Sequence, residues 1–174
     1  MCIRDSLDQG GKGIIQGSLD SGAFDTFILS DGMIGDSLTD AFGKSLNKSF
    51  GSLPGSTGKG AGVFAKVAGK AGIDPSGPYT GESYDAAALI VLAMQAGGSA
   101  DRGSIAKNVM AVANGPGKKI YPGQLKKALD LLAKGKAVDY EGATGVVFTD
   151  VGEHVGNFLE KEIKGGKFKT KQQR

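Results

Sequence analysis

The chain has 174 residues, a net charge of +3, 30 glycines and one cysteine, at position 2. Glycine reaches about 17%, against an ordinary level of roughly 7%, but 40% of residues are apolar and only 22% charged, which excludes a disordered polar chain. A lone cysteine excludes a disulfide scaffold, and no uninterrupted apolar stretch reaches the length of about 18 residues that a membrane-spanning helix needs.

Helix and strand signals alternate along the chain. Lys12 to Ser21 carries Ile14, Ile15 and Leu19 at helical spacing and stops at Gly22. Phe24 to Leu29 reads as a short buried strand broken by Asp31-Gly32, and Ser37 to Phe42 as a helix closed by Gly43. Asn47 to Leu53 is a weak strand ending at Pro54-Gly55-Ser56. Gly62 to Ala71 places Val63, Phe64, Val67 and Ala68 on one helical face and stops at Gly72. Ser83 to Ala96 is the strongest helix. Its Ala86, Leu89, Ile90, Ala93 and Met94 form a stripe that Val91 and Leu92 extend almost all round, so burial on most sides is expected. A helix from Ser104 to Ala113 ends at Asn114-Gly115-Pro116, and Pro122 opens another through Lys134, capped by Gly135. Gly145–Thr149 and Val155–Ile163 then read as two strands joined through residues 150–153. Strands separated by helices indicate an α/β protein with a largely parallel sheet.

The charge is uneven. Lys161 to Arg174 carries six basic residues and one acid, so the rest of the chain is net acidic and the basic pI describes a solvated tail. Nucleic-acid binding needs basic residues interleaved with aromatics; only Phe168 is interleaved here, and that role is rejected. Residues 1–6 (Met1-Cys2-Ile3-Arg4-Asp5-Ser6) are too short and too charged for a secretory signal and read as a non-native start.

Catalytic constellations fail on inspection. The run Gly55-Ser56-Thr57-Gly58-Lys59-Gly60 lacks the first glycine of a phosphate-binding loop, a position held by Leu53. It also lacks the hydroxyl that follows the lysine, a position held by Gly60. Gly60, Gly62 and Ala65 meet only the loose dinucleotide fingerprint. The one histidine, His154, lies in a charged turn, and Asp139 and Glu141 alternate on an extended segment and so point to opposite faces. The reading is a non-enzyme without metal or cofactor.

Four stretches in register resemble the branched-chain amino-acid type of solute-binding proteins, which serve ATP-driven importers and adopt the type I periplasmic-binding fold. They are Phe27 to Met33, Tyr79 to Leu89 (Tyr-Thr-Gly-Glu-Ser-Tyr-Asp-Ala-Ala-Ala-Leu), Ala111 to Gly117, and Asp139 to Gly145. The resemblance spans roughly residues 9 to 160 and implies a two-lobed, parallel-sheet α/β fold present as a C-terminal fragment. It assigns residues 7–53 to part of lobe two, 57–154 to part of lobe one, and 155–174 to a final strand crossing back plus the basic tail. It also implies a periplasmic or extracytoplasmic location with the signal peptide missing, a membrane permease as partner, and a monomer when complete.

The same resemblance implies three ligand-binding residues. An α-amino acid needs a carboxylate for its ammonium, and Asp31 matches the family's acid at the end of a lobe-two strand. Tyr79 matches a position that walls the ligand side chain, and Tyr84 faces the cleft at a helix start. A further family contact falls near Asp8. The carboxylate-binding hydroxyl positions lie outside the match, so tight solute binding by these 174 residues alone is not expected. A sensor domain of the same fold and a nucleotide-dependent enzyme using the Gly55–Gly62 loop are the alternatives.

Overall fold

The computed structural model describes residues 10–56 and 58–173. The suspect start and Asp8 lie outside the described residues. The chain divides into two compact units, one taking the described residues up to Gly55 together with those from Asn157 onward, the other running from Ser56 to Gly156.

The first unit holds helices α1 (Lys12–Asp20) and α2 (Asp36–Phe42), two 3-10 turns (Asp31–Met33 and Gly43–Leu46), and strands β1 (Ile28–Leu29), β2 (Phe50–Gly55), β5 (Asn157–Lys164) and β6 (Lys167–Gln173). Its sheet runs in the order β1-β2-β5-β6, with β1 and β2 parallel and the other two pairs antiparallel. Ile15, Leu29, Ile34, Leu38, Leu46 and Ile163 form its core.

Three expectations are corrected in this unit. The strand expected over 24–29 shrinks to Ile28–Leu29, because pairing with β2 begins only at Ile28 opposite Phe50, and Phe24 is exposed. The strand expected from Asn47 starts at Phe50 instead. Lys48 sits in the left-handed region at φ 77°, which no extended strand accommodates. The expected basic tail is largely an ordered strand. Gly165 and Gly166 take φ of 66° and 78°, the pair of positive values that a two-residue hairpin turn requires, and they fold Lys167–Gln173 back onto β5. Gly166 N–H donates to Asn47 Oδ1 at 3.0 Å, which anchors the turn.

The second unit holds α3 (Gly58–Lys70), α4 (Thr80–Gly97), α5 (Arg102–Ala113), β3 (Lys118–Ile120), α6 (Leu125–Leu132) and β4 (Val138–Tyr140). Strands β3 and β4 pair in parallel, with Ile120 opposite Tyr140. Leu89, Leu92, Val112, Ile120, Val138 and Tyr140 are central to its core. Helix α5 is capped by Asp101, whose carboxylate accepts from the Gly103 and Ser104 amides at 2.9 and 3.2 Å. It packs closely on α4: a Cβ at Gly97 would collide with Ser104 Oγ.

The buried face of α4 keeps Leu89 and Ala93 of the expected stripe but is turned away from Ala86 and Ile90. Ala88, Leu89, Leu92 and Ala93 face the core with Gly81 and Asp85, while Ile90 and Val91 point outward at 48% and 38% exposure. Pro122 does not open α6; the helix starts at Leu125, after a turn in which Gly123 takes φ 79° and the Gln124 side chain accepts from the Tyr121 amide at 3.2 Å. Of the strand expected over 145–149, a single bridge remains, Phe148 to His154, and the strand expected from Val155 begins at Asn157.

Candidate functional site

Asp31 follows the C-terminal end of β1, a place where open α/β sheets receive ligands. The chain turns there because the Met33 amide donates to the Ser30 carbonyl at 2.9 Å and the Ile34 amide to the Asp31 carbonyl at 3.0 Å. Asp31 Oδ1 accepts from the Gly32 amide at 2.7 Å. The side chain is half-buried, and Oδ2 makes no hydrogen bond among the described residues. This is a carboxylate aimed by its own turn, with acceptor capacity left for a cation such as an ammonium group.

Tyr79 and Tyr84 belong to the other unit, at the start of α4. Tyr79 precedes the helix in a left-handed conformation, φ 57° and ψ 12°, and remains 38% exposed. For a bulky aromatic residue this backbone is strained, and such strain concentrates at functional positions. The preceding loop carries its own hydrogen bonds: Asp74 Oδ1 accepts from the Ser76 amide at 2.9 Å and the Ser76 hydroxyl at 2.7 Å, which lowers the Asp74 pKa. Thr80 Oγ1 donates to the Gly77 carbonyl at 2.7 Å.

Tyr84 works within its unit. Its hydroxyl oxygen accepts from the Gly123 amide at 2.8 Å, and its ring tilts against Phe64 with centroids 5.4 Å apart. It thereby ties α4 to the turn that follows β3. The glycine run near residue 58 is also committed to packing. The start of α3 lies against the loop after β4, so that a Cβ at Gly60 would strike the Gly142 carbonyl, and Lys59 Nζ rests 4.5 Å from the Tyr121 ring centroid. Among the described residues no group of three or more His, Cys, Asp or Glu gathers as a metal site, and no helix is long and apolar enough to cross a membrane.

The residue that sequence reasoning missed is Asp85. It is 2% exposed, and its carboxylate accepts from the Tyr140 hydroxyl at 2.8 Å, the Thr144 amide at 2.8 Å and the Thr144 hydroxyl at 2.8 Å. The Ala143 amide reaches both of its oxygens, at 2.8 and 2.9 Å. This knot binds α4 to the segment after β4 and fixes the C-terminal edge of the β3–β4 pair. Burial, then the negative Asp85, pushes the Tyr140 hydroxyl far above its ordinary pKa. The signal was available: an acid on the inward side of an apolar helix demands convergent donors.

No family model matches the chain. Over 99 residues, 56% of its length, it is 34% identical to the chemotactic signal transduction system substrate-binding protein BasB of Halobacterium salinarum. That stretch is 24% of BasB. The structure of a leucine-binding protein, LivK, from Thermotoga maritima superposes on 93% of this chain with a TM-score of 0.63 at 17% identity, and the match covers 41% of LivK. The chain has part of a type I periplasmic-binding fold. It spans about a quarter of the curated relative and two fifths of the solved one. Both relatives carry the names of binding proteins.

Proposed function

We propose that the chain is part of an extracytoplasmic solute-binding protein that captures an amino acid or a similar compact polar solute for the permease of an ATP-driven importer. The observation that carries this reading is Asp31, an incompletely partnered carboxylate at the C-terminal end of a parallel strand in a fold shared with a leucine-binding protein. In this reading the described residues up to Gly55 with those from Asn157 onward belong to lobe two, and the unit Ser56–Gly156 to lobe one. Asp31 holds the solute's ammonium group, Tyr79 stands against its side chain, and Tyr84 positions the start of α4. The protein does no chemistry on its solute. Specificity arises because an unpaired charge left in a closed site is costly.

The test is a thermal-shift screen, against amino acids, amides and nucleotides, of a protein extended to the length of its relatives. A ligand at a hundred times its Kd adds about 2.7 kcal/mol. Amino acids should shift the melting point, and Asp31→Asn should abolish that shift without changing the unliganded melting point. A response to nucleotides alone, lost on Lys59→Ala, would overturn the reading in favour of an enzyme.

The name of BasB favours a second reading, in which solute binding feeds a chemotactic signalling system instead of an importer. Deleting the gene distinguishes the two. Loss of solute uptake supports transport, whereas loss of chemotaxis with uptake intact supports signalling.

A further inference from the structure

Asn114 and Gly115 form the one Asn-Gly pair among the chain's asparagines; Asn47, Asn108 and Asn157 precede Lys48, Val109 and Phe158. Asparagine is a labile residue, and most so before glycine, where no side chain shields the following nitrogen. The reaction is internal. The Gly115 nitrogen bonds to Asn114 Cγ, the Cγ–Nδ2 bond breaks, and Nδ2 leaves as ammonia with the proton that the Gly115 nitrogen gave up. Water then opens the five-membered imide at either carbonyl, leaving aspartate or isoaspartate. One water enters for each ammonia lost, and nothing is oxidised or reduced.

The fold holds this pair out of reaction. Asn114 ends α5, its amide donating to the Met110 carbonyl at 2.9 Å. Its ψ is 12°, so the Gly115 nitrogen eclipses Asn114's own nitrogen, whereas closing the imide ring requires it to eclipse Cβ. Rotation towards that geometry is obstructed, because Gly115 is packed so closely that a Cβ there would collide with the Ala111 and Val138 carbonyl oxygens. The side chain is held as well. Nδ2 donates to the Phe148 carbonyl at 2.6 Å, and Oδ1 accepts from the Phe148 amide at 2.9 Å.

This pair of bonds copies one rung of a sheet and secures the hairpin of residues 147–155 to the end of α5. Within the hairpin the Val155 amide donates to the Val147 carbonyl at 2.9 Å, and the Phe148 ring meets His154 edge-on while packing on the core. Aspartate at position 114 has no donor for the Phe148 carbonyl and sets a negative oxygen against it. Isoaspartate in addition lengthens the backbone where Gly115 leaves no slack.

We propose that Asn114 is a site of spontaneous deamidation kept dormant by its own clamp on Phe148, and that reaction during a transient opening releases the hairpin 147–155 for good. The rate in the folded chain is then the rate of the freed pair multiplied by the fraction of time the clamp stands open.

The test incubates the 174-residue chain in mildly alkaline buffer, with and without guanidinium chloride, and follows every asparagine by peptide mass mapping. In denaturant Asn114 should deamidate at least tenfold faster than Asn47, Asn108 and Asn157, and in the folded chain at least tenfold more slowly than in denaturant. Phe148→Ala removes the ring that seats the hairpin and should raise the folded rate at least fivefold. Circular dichroism checks that this variant stays folded; Gly152→Ala, which strains the hairpin turn at φ 85°, serves if it does not. Hydrogen exchange across residues 147–155 should be at least tenfold faster in Asn114→Asp than in the original chain. Equal rates of Asn114 loss with and without denaturant would overturn the proposal. So would faster loss at any other asparagine in denaturant, a folded rate that loosening the hairpin leaves unchanged, or unaltered exchange in Asn114→Asp.

Discussion

Replacing Asp85 with alanine should unfold the Ser56–Gly156 unit at markedly lower urea. The substitution strands the Tyr140 hydroxyl, the Ala143 and Thr144 amides and the Thr144 hydroxyl, all of which now donate to one buried carboxylate. An orphaned buried donor costs about 1–3 kcal/mol. The Thr144 hydroxyl can rotate to another acceptor, and losing a buried charge returns part of its desolvation cost. The net loss is then about 4 kcal/mol, a large share of the roughly 5–15 kcal/mol that holds a domain together. With a urea dependence of about 2 kcal/mol per molar, the midpoint falls by about 2 M. All four tyrosines (Tyr79, Tyr84, Tyr121 and Tyr140) lie in this unit and the chain has no tryptophan, so the tyrosine band of the near-ultraviolet circular dichroism follows it, whereas the phenylalanine band mixes both units. Asp85→Asn keeps the shape but turns an amide donor towards donors, and should cost about half as much. Adding Tyr140→Phe to Asp85→Ala should cost little more, since the hydroxyl has already lost its acceptor. A midpoint shift below about 0.5 M for Asp85→Ala would refute the assignment of Asp85 as the keystone of this edge.

Tyr140 should also set an alkaline limit. Its folded pKa is raised, so its contribution is intact below the unfolded value near 10 and declines as pH climbs beyond it. Stability should fall by about 1.4 kcal/mol per pH unit above pH 10, a slope that Tyr140→Phe removes; absorbance at about 295 nm should show one of the four tyrosines resisting ionisation until unfolding. Gly142→Ala should cost more than about 2 kcal/mol in urea melts, because φ is 59° and the new methyl group lands on the Asp85 carboxylate. Asp101→Ala should cost about 1 kcal/mol through loss of the α5 cap while Asp101→Asn retains most of it, a contrast that thermal melts can resolve.

The helices were legible because each carries enough residues for a 3.6-residue period to emerge, and α1, α2, α3 and α5 fall within a few residues of their expected spans. Strands β3 and β4 escaped notice. Lys118–Ile120 and Val138–Tyr140 are three residues each, and what makes them strands is pairing across the seventeen residues between them, which local composition does not register. Helix α4 was found, and Leu89, Leu92 and Ala93 are buried as expected, but Ala86 and Ile90 face outward, since a scan for apolar residues passes over the buried Asp85 that defines its inward side. Counting lysines described the charge of the last strand and overlooked Gly165-Gly166, the dipeptide that makes it a strand. Asp31 and Tyr79 came from resemblance; a 3-10 turn beside the first and a left-handed backbone at the second leave no periodic trace.

The first unit is assembled from the two ends of the described chain, and this shapes how it can be made. Strand β2 leaves the ribosome long before β5, its antiparallel partner, because about a hundred residues of the second unit are translated between them. At synthesis rates of about 5–20 residues per second, β2 waits on the order of 5–20 s with one edge unpaired. An unpaired strand edge is a template for the wrong neighbour. The nascent chain is therefore most exposed to misassembly while its second unit is already free to fold, and it stays so until the lysine-rich hairpin emerges to complete the sheet.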